Sequence, residues 1–398
     1  MKDPQEVLKL AAFMICCMSF VWLKPKKRKF FSISSDPDDL STYYGQLDVK
    51  RLCMHSTQEY FEKSWPFCPG VRSLLLFGVN NSLSGVYRMN RISFIFHLFN
   101  LLEVLDLRNV NVGYTYPNEI ALLGELRYLI LQGWFDSVTP AVSGLLNLET
   151  LIIEGGSVQL PDNIWKMLKL RVLYISSACF LDSSLAQHSL ERSSGLQNLD
   201  TFSTLNLSFR QSLEKIMRQL PNIRRLKCRL FKSGESNADC SRIVALDFLS
   251  RLESLHLTRE DQFELKRGHI VFRFPWNLKK LTLSNMHSSI IPKGGELSNL
   301  VVLKLSNIDF QEDTWDMTNE EWEFPDLEFL ELAKLSIVRW TCRSDGDDHF
   351  PRLRKLVLWN CRRLKEIPSC LGDITTLQII EDDAVCGGNC RMDFGLLI

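Results

Sequence analysis

The chain has 398 residues, of which 45% are hydrophobic and 24% charged, and its 47 basic side chains are balanced by 47 acidic ones. This composition is typical of globular proteins and excludes the intrinsically disordered class. Because the net charge is zero, nothing supports a general nucleic-acid-binding function, which normally requires a basic surplus, and we expect no nucleic-acid partner.

Residues 1–45 are interpreted as an N-terminal remnant that contains an apolar run followed by a basic run. The apolar run, residues 10–23 (LAAFMICCMSFVWL), is shorter than the about 20 residues of a membrane span, so a packed segment is favoured over a membrane anchor. The basic run, residues 24–29 (KPKKRK), is typical of nuclear-import signals and also of solvated linkers. Residues 46–70 are interpreted as a cap region that leads into the repeats.

From residue 71 onward one hydrophobic pattern, L-x-x-L-x-L, returns along the chain, as in LEVLDL at 102–107 and LRKLVL at 353–358. All successive spacings except the first lie between about 20 and 29 residues, which is the range of leucine-rich repeats. The thirteen copies start at Val71, Leu102, Leu126, Leu148, Leu170, Leu199, Ile223, Leu252, Leu278, Leu300, Leu327, Leu353 and Leu377.

Strand alternation explains the pattern. The fourth and sixth residues of each copy are two apart, so both point to one face of a strand, while the first residue lies just before that strand. These side chains are removed from water only if neighbouring copies stack about 4.8 Å apart. We therefore predict an α/β leucine-rich-repeat solenoid of about 13 repeats over residues 71–382, with a parallel sheet on its concave face and a C-terminal tail at 383–398.

The segments between the copies fall into two kinds. Residues 160–175 and 367–380 combine a proline with apolar residues, and we expect them to form short turns that pack behind the sheet. Three polar segments, 233–242, 311–323 and 343–349, are interpreted as exposed loops.

The twelve cysteines are scattered, which favours unpaired thiols in a reducing compartment. Cys386 and Cys390 are the closest non-adjacent pair, and one pair provides too few ligands for a structural zinc site, so no metal is predicted. The sequence contains no G-x-x-x-x-G-K-[ST], H-E-x-x-H or G-x-S-x-G motif. We therefore predict that the protein is not an enzyme and has neither catalytic residues nor a cofactor.

The concave face is the predicted binding surface. In each copy the second, fourth and sixth residues after the first one should face that side, and protein interfaces favour aromatic and basic side chains there. The candidate anchors are Tyr128, Tyr174, Phe329 and Trp359, and the candidate charged partners are Arg108, Lys280, Lys304 and Lys355.

Six stretches, in this order, resemble plant intracellular immune receptors of the late blight resistance type: VKRLCMHS (49–56), GVRSLLLFG (70–78), LDFLSRLESLHL (246–257), FPWNLKKLTLSN (274–285), DTWDM (313–317) and HFPRLRKLVLWNCRRLKEIPSCLGDITTLQIIE (349–381). The resemblance covers roughly residues 45–382 and includes loop residues. Receptors of this family consist of a coiled-coil region, a nucleotide-binding NB-ARC switch and a leucine-rich-repeat domain. This chain matches only the last part, because it has neither the phosphate-binding loop nor the Met-His-Asp motif of the switch.

The resemblance implies a cytoplasmic protein-interaction module of a disease-resistance protein. Its partner would be a pathogen effector, a guarded host protein, or the NB-ARC or coiled-coil domain of a receptor. Two other functions stay open. An extracellular leucine-rich-repeat binder or inhibitor is supported by two potential glycan acceptors, Asn80-Asn81-Ser82 and Asn206-Leu207-Ser208. A substrate-recruiting subunit of a ubiquitin ligase would need an N-terminal helical module that we do not recognise in the first 45 residues.

Overall fold

The computed structural model describes residues 31–34, 50–56, 70–78, 93–180, 195–208, 213–231, 242–260, 270–310, 313–318, 322–342 and 349–383. Within them the chain forms one fifteen-stranded parallel sheet and two two-stranded parallel sheets. The apolar run 10–23, the basic run 24–29 and the cysteine pair of the tail lie outside the described residues.

The strands of the large sheet follow one another in space in the order of the sequence. They are β1 (Phe31–Ser34), β2 (Arg51–Ser56), β3 (Ser73–Gly78), β4 (Val104–Asn111), β5 (Tyr128–Gly133), β6 (Thr150–Leu160), β7 (Val172–Phe180), β8 (Thr201–Ser208), β9 (Arg225–Phe231), β11 (Ser254–Arg259), β13 (Lys280–Ser284), β14 (Val302–Ser306), β16 (Phe329–Ala333), β18 (Lys355–Trp359) and β19 (Ile379–Asp383). The two small sheets pair β10 (Arg242–Ala245) with β12 (Ile270–Arg273), and β15 (Thr314–Met317) with β17 (Arg339–Cys342).

The predicted solenoid is confirmed, and each of the thirteen copies starts two residues before a strand of the large sheet. The copy at Leu353, for example, leads into β18, whose Leu356 pairs with Leu330 of β16. The sheet also contains two strands before the first copy, β1 and β2. Leu52 of β2 is fully buried and pairs with Leu74 of β3, so the apolar core continues into β2.

The core lies between the large sheet and the segments that return behind it. Short 3-10 helices occupy these segments at Asn118–Leu122, Pro140–Gly144, Asp162–Lys166, Ser288–Ile290, Gly294–Glu296 and Ser369–Asp373, and α-helices at Ser93–Leu98 and Leu213–Arg218. Ile164 and Trp165 are buried here, as are Cys370 and Leu371, so the predicted apolar turns do pack behind the sheet. Since these segments are bulkier than a strand, the stack curves with the sheet on its inner side.

One predicted loop is wrong. Residues 314–317, inside the polar segment 311–323, form strand β15, and Trp315 and Met317 are buried. Trp315 stacks on Trp340 of β17 with ring centroids 5.3 Å apart, and the Trp340 indole Nε1 donates a hydrogen bond to Met317 Sδ at 3.2 Å. Thr-Trp-Asp-Met alternates polar and apolar residues, but so short an alternating stretch is not recognisable as a strand among acidic neighbours.

The interpretation of all cysteines as unpaired is wrong for one pair. Cys342 at the end of β17 and Cys370 in the last 3-10 helix form a disulfide, although 28 residues separate them in the sequence. Within the described part of the chain, Cys53, Cys179, Cys228 and Cys361 are in the reduced form. The bond joins two successive segments behind the sheet, a proximity that only the stacking of repeats creates.

Two rows of polar residues run along the edge of the sheet where the strands begin. In the large sheet, the residue immediately before each strand from β3 to β13 is charged, and the sign of the charge alternates from strand to strand. These residues are Arg72, Glu103, Arg127, Glu149, Arg171, Asp200, Arg224, Glu253 and Lys279. Arg127 and Glu149, for example, form an ion pair of 2.5 Å. Asparagines two positions earlier donate to main-chain carbonyls of the preceding repeat, such as Asn147 Nδ2 to Gly124 O at 3.0 Å. Both rows hold neighbouring repeats in register.

Candidate functional site

The concave face consists of the strand residues that alternate with the core leucines. In β11, β13 and β14 the burial pattern alternates strictly, with every second side chain buried. Pairing in register lines up these outward residues across the sheet, as with Lys280 beside Val302, and Val302 beside Phe329. The eight candidate residues therefore fall into two groups, one on β4, β5 and β7 and the other on β13, β14, β16 and β18.

The first group borders an apolar zone. Tyr128 and Tyr174 are half-buried on either side of Ile130 and Ile152. The two isoleucines are buried but are not part of the contiguous core, which agrees with their position on the outward face of the sheet.

Arg108, also in this group, lies at an irregularity of β4, because it is Asn111 that pairs with Gln132 of β5. Its guanidinium binds both oxygens of Asp106, with Nη2 2.8 Å from Oδ2 and Nε 3.1 Å from either oxygen. The positive charge of Arg108 is thus neutralised by the carboxylate of Asp106 in the same strand.

The second group contains the exposed aromatic residue Trp359 and the half-buried Phe329. Trp359 is 44% exposed, and the ammonium of Lys334 lies 5.1 Å from its ring centroid. Phe329 pairs with Lys355 in the adjacent strand, and Lys304 Nζ lies 5.0 Å from the Phe329 ring centroid. These contacts fix both rings without covering them.

A concentration of basic residues, which we call the basic patch, begins on β9 and extends over β11 into β13 and β14 of the second group. It comprises twelve outward residues, three from each of β9, β11, β13 and β14: Arg225, Lys227, Arg229, Ser254, His256, Thr258, Lys280, Thr282, Ser284, Val302, Lys304 and Ser306. Five of these twelve are Lys or Arg, five are Ser or Thr, and within these four strands no outward position carries a carboxylate.

His256 lies at the centre of the basic patch, directly beside Lys227 of β9 and Thr282 of β13. Its Nε2 is 2.8 Å from the Thr258 hydroxyl. Burial, followed by the charges of Lys227, Lys280, Arg229 and Lys304, lowers the pKa of His256 to about 3. The imidazole is therefore neutral at physiological pH, and its low pKa reflects first its burial and then the positive potential of the patch.

Three residues of the basic patch were missed in the sequence. Arg225, Lys227 and Arg229 belong to the copy at Ile223 (IRRLKC), which lacks a leucine at its last position. The copy is recognisable, but its degraded pattern gives its outward positions less weight than those of the regular copies. Reading the second, fourth and sixth residues after Ile223 finds all three.

Among the residues that the structure describes, no three His, Cys, Asp or Glu side chains lie close enough together to hold a metal ion. No helix in the described part of the chain is long and apolar enough to cross a membrane. The potential glycan acceptor Asn206 is buried on β8, where its Nδ2 donates to the Ser177 hydroxyl. The other acceptor, at Asn80, lies outside the described residues.

A family model described as a leucine-rich repeat region matches residues 70–383, the stretch that contains all thirteen copies. The chain belongs to the leucine-rich-repeat family. A putative late blight resistance protein homolog of Solanum demissum is 36% identical to this leucine-rich-repeat protein over 298 residues, covering 73% of this chain and 22% of the relative. A late blight resistance protein of the same species is 35% identical over 299 residues, with the same coverage.

The resemblance of the repeats to late-blight-resistance-type proteins is thus confirmed, and this leucine-rich-repeat chain spans about a fifth of the length of those relatives. Among solved structures, a leucine-rich-repeat protein of Leptospira interrogans is 17% identical, with a TM-score of 0.46, over 88% of this chain and 81% of that chain.

Proposed function

We propose that the chain is a protein-interaction module of a plant disease-resistance protein and that its partner binds the concave face. The observation that carries the proposal is the continuous row of parallel strands that presents aromatic and charged side chains on one surface. The kinship with late blight resistance proteins supports a role in defence, in the cytoplasm. The partner is a pathogen effector, a guarded host protein or the NB-ARC switch of a receptor.

Trp359 and Phe329 are the anchors we assign to this contact. Large aromatic side chains dominate binding energy when a partner removes them from water, and Trp359 still has nearly half of its surface to bury. Lys334 and Lys304 hold the two rings in place, so little conformational entropy is lost on binding. Truncating both rings should weaken binding at least about tenfold.

Site-specific photo-crosslinking in plant cells tests the proposal. A benzophenone side chain at position 359 should yield a covalent adduct with a partner protein. The same group at position 276 should yield none, because Trp276 is 66% exposed but lies in the turn before β13, outside the concave face. The double variant Phe329→Ala/Trp359→Ala should lose capture of that partner, while Trp276→Ala should keep it. Equal adducts from both positions, or undiminished capture by the double variant, would contradict the proposal.

One observation favours the extracellular binder as a second candidate. The Cys342–Cys370 disulfide is a bond that persists in oxidising compartments. Alkylating free thiols at the moment of cell lysis, followed by mass spectrometry, separates the two candidates. A cytoplasmic module should have both cysteines alkylated, and an extracellular binder should have them paired.

A further inference from the structure

The basic patch differs in composition from the rest of the concave face. On either side of it the outward residues include aliphatic and aromatic side chains, such as Ile152 and Tyr174 on one side and Phe329 on the other. Within it, lysines, arginines and hydroxyl side chains make up ten of the twelve residues over four adjacent strands. Ammonium, guanidinium and hydroxyl groups are all donors, so the patch matches a ligand that supplies several negatively charged acceptors.

Carboxylates do occur around the patch, but at its border. Asp200, just before β8, binds Arg225 at 2.8 Å, and Glu260, just after β11, lies 3.7 Å from Arg229. On the opposite side Glu331 of β16 binds Lys304 at 2.5 Å. These three acids mark the limits of the positive surface, which is about 14 Å wide for four strands.

We propose that the basic patch binds a short acidic segment of the partner protein, one that presents several Asp or Glu side chains in succession. This inference rests on the proposed function and specifies the chemistry of the partner. A polynucleotide is the poorer fit, because its evenly spaced phosphates would continue past the border and meet Asp200, Glu260 or Glu331. An acidic segment followed by apolar residues fits both the patch and the zones beside it.

Fluorescence anisotropy with the full chain and a labelled hexaglutamate peptide tests the proposal. The variant Lys227→Glu/Lys280→Glu should weaken peptide binding by about tenfold or more, since it reverses two charges that face His256. The control Lys166→Glu/Arg362→Glu changes the net charge equally but at exposed positions outside the patch, and it should shift affinity less than about twofold. If the first variant does not fold by circular dichroism, Lys227→Gln/Lys280→Gln replaces it, with a smaller loss of the same sign.

Three results would overturn the inference. The first is that the unaltered chain does not bind the peptide. The second is that the patch variant and the control lose peptide affinity equally. The third is that a labelled hexathymidylate binds more tightly than the peptide and that this binding is lost in the same patch variant. The last result would identify a phosphate-binding surface instead. If the charge variant still forms the adduct at position 359 while the double alanine variant loses capture of the same partner, the proposed function stands and the acidic partner does not. If the peptide binds as expected but no adduct forms at 359, the proposed function fails instead.

Discussion

Replacing His256 by glutamine should remove part of the dependence of stability on pH. The pKa of His256 is about 3 in the folded protein and about 6.5 in an unfolded chain. Below pH 6.5 the unfolded chain therefore binds a proton that the folded protein does not, and the free energy of unfolding falls as the pH is lowered toward 3. The loss is about 1.4 kcal/mol for each pH unit, or about 2 kcal/mol at pH 5.

Urea unfolding of the full chain at pH 7 and pH 5 measures this effect. The unaltered protein should lose about 2 kcal/mol more than His256→Gln between these two pH values, because carboxylates contribute equally in both. His97→Gln, which removes an exposed histidine from the short helix Ser93–Leu98, controls for the loss of an imidazole. Parallel pH profiles for the unaltered protein and His256→Gln would refute the low pKa that burial and the neighbouring cations give His256.

Two further predictions concern the fold. Gly155→Ala should destabilise the protein by more than about 2 kcal/mol in thermal or urea unfolding, because Gly155 has φ +143° and a Cβ there would lie 1.7 Å from the Gly133 carbonyl oxygen. Gly124→Ala, where a Cβ meets nothing within 4 Å, should change stability by less than about 0.5 kcal/mol, and equal effects would contradict the assignment. Arg127→Glu places a third carboxylate between Glu103 and Glu149 and should cost about 1 kcal/mol at low salt. Because these side chains are partly exposed, 1 M NaCl should abolish most of that loss, and a salt-independent loss would exclude the electrostatic cause.

The architecture could be predicted because it depends on a few apolar positions that recur at a nearly constant spacing. Leu102 and Leu353 each locate a strand that begins two residues later, although 251 residues separate them. The register between strands then follows, since a shift by one residue would turn Leu356 or Leu330 out of the core. The outward direction of Phe329 follows from the same alternation.

What the sequence did not show depends on contacts between repeats. Cys342 and Cys370 are brought together by stacking, and the sequence contains no pattern that selects this pair among twelve cysteines. Strand β15 is held by the stacking of Trp315 on Trp340, an interaction with the following repeat. The neutral state of His256 likewise requires knowing that its side chain is buried and that cations of three other strands lie near it.

The two arrangements of charge in this chain serve different purposes. Along the edge where strands begin, nine consecutive repeats alternate in sign, so that Arg224 is followed by Glu253 and then by Lys279. Alternation of this kind stabilises the stack, because each charge has an opposite charge in the next repeat. On the concave face of the same repeats, Lys227 and Lys280 flank a neutral histidine and no acid intervenes. Clustered cations repel one another, and the acids that bind Arg225, Arg229 and Lys304 lie only at the border of the patch, so the cluster as a whole gives the fold little stability. Binding an anionic partner does account for them, because a carboxylate that enters the patch relieves the repulsion between the cations.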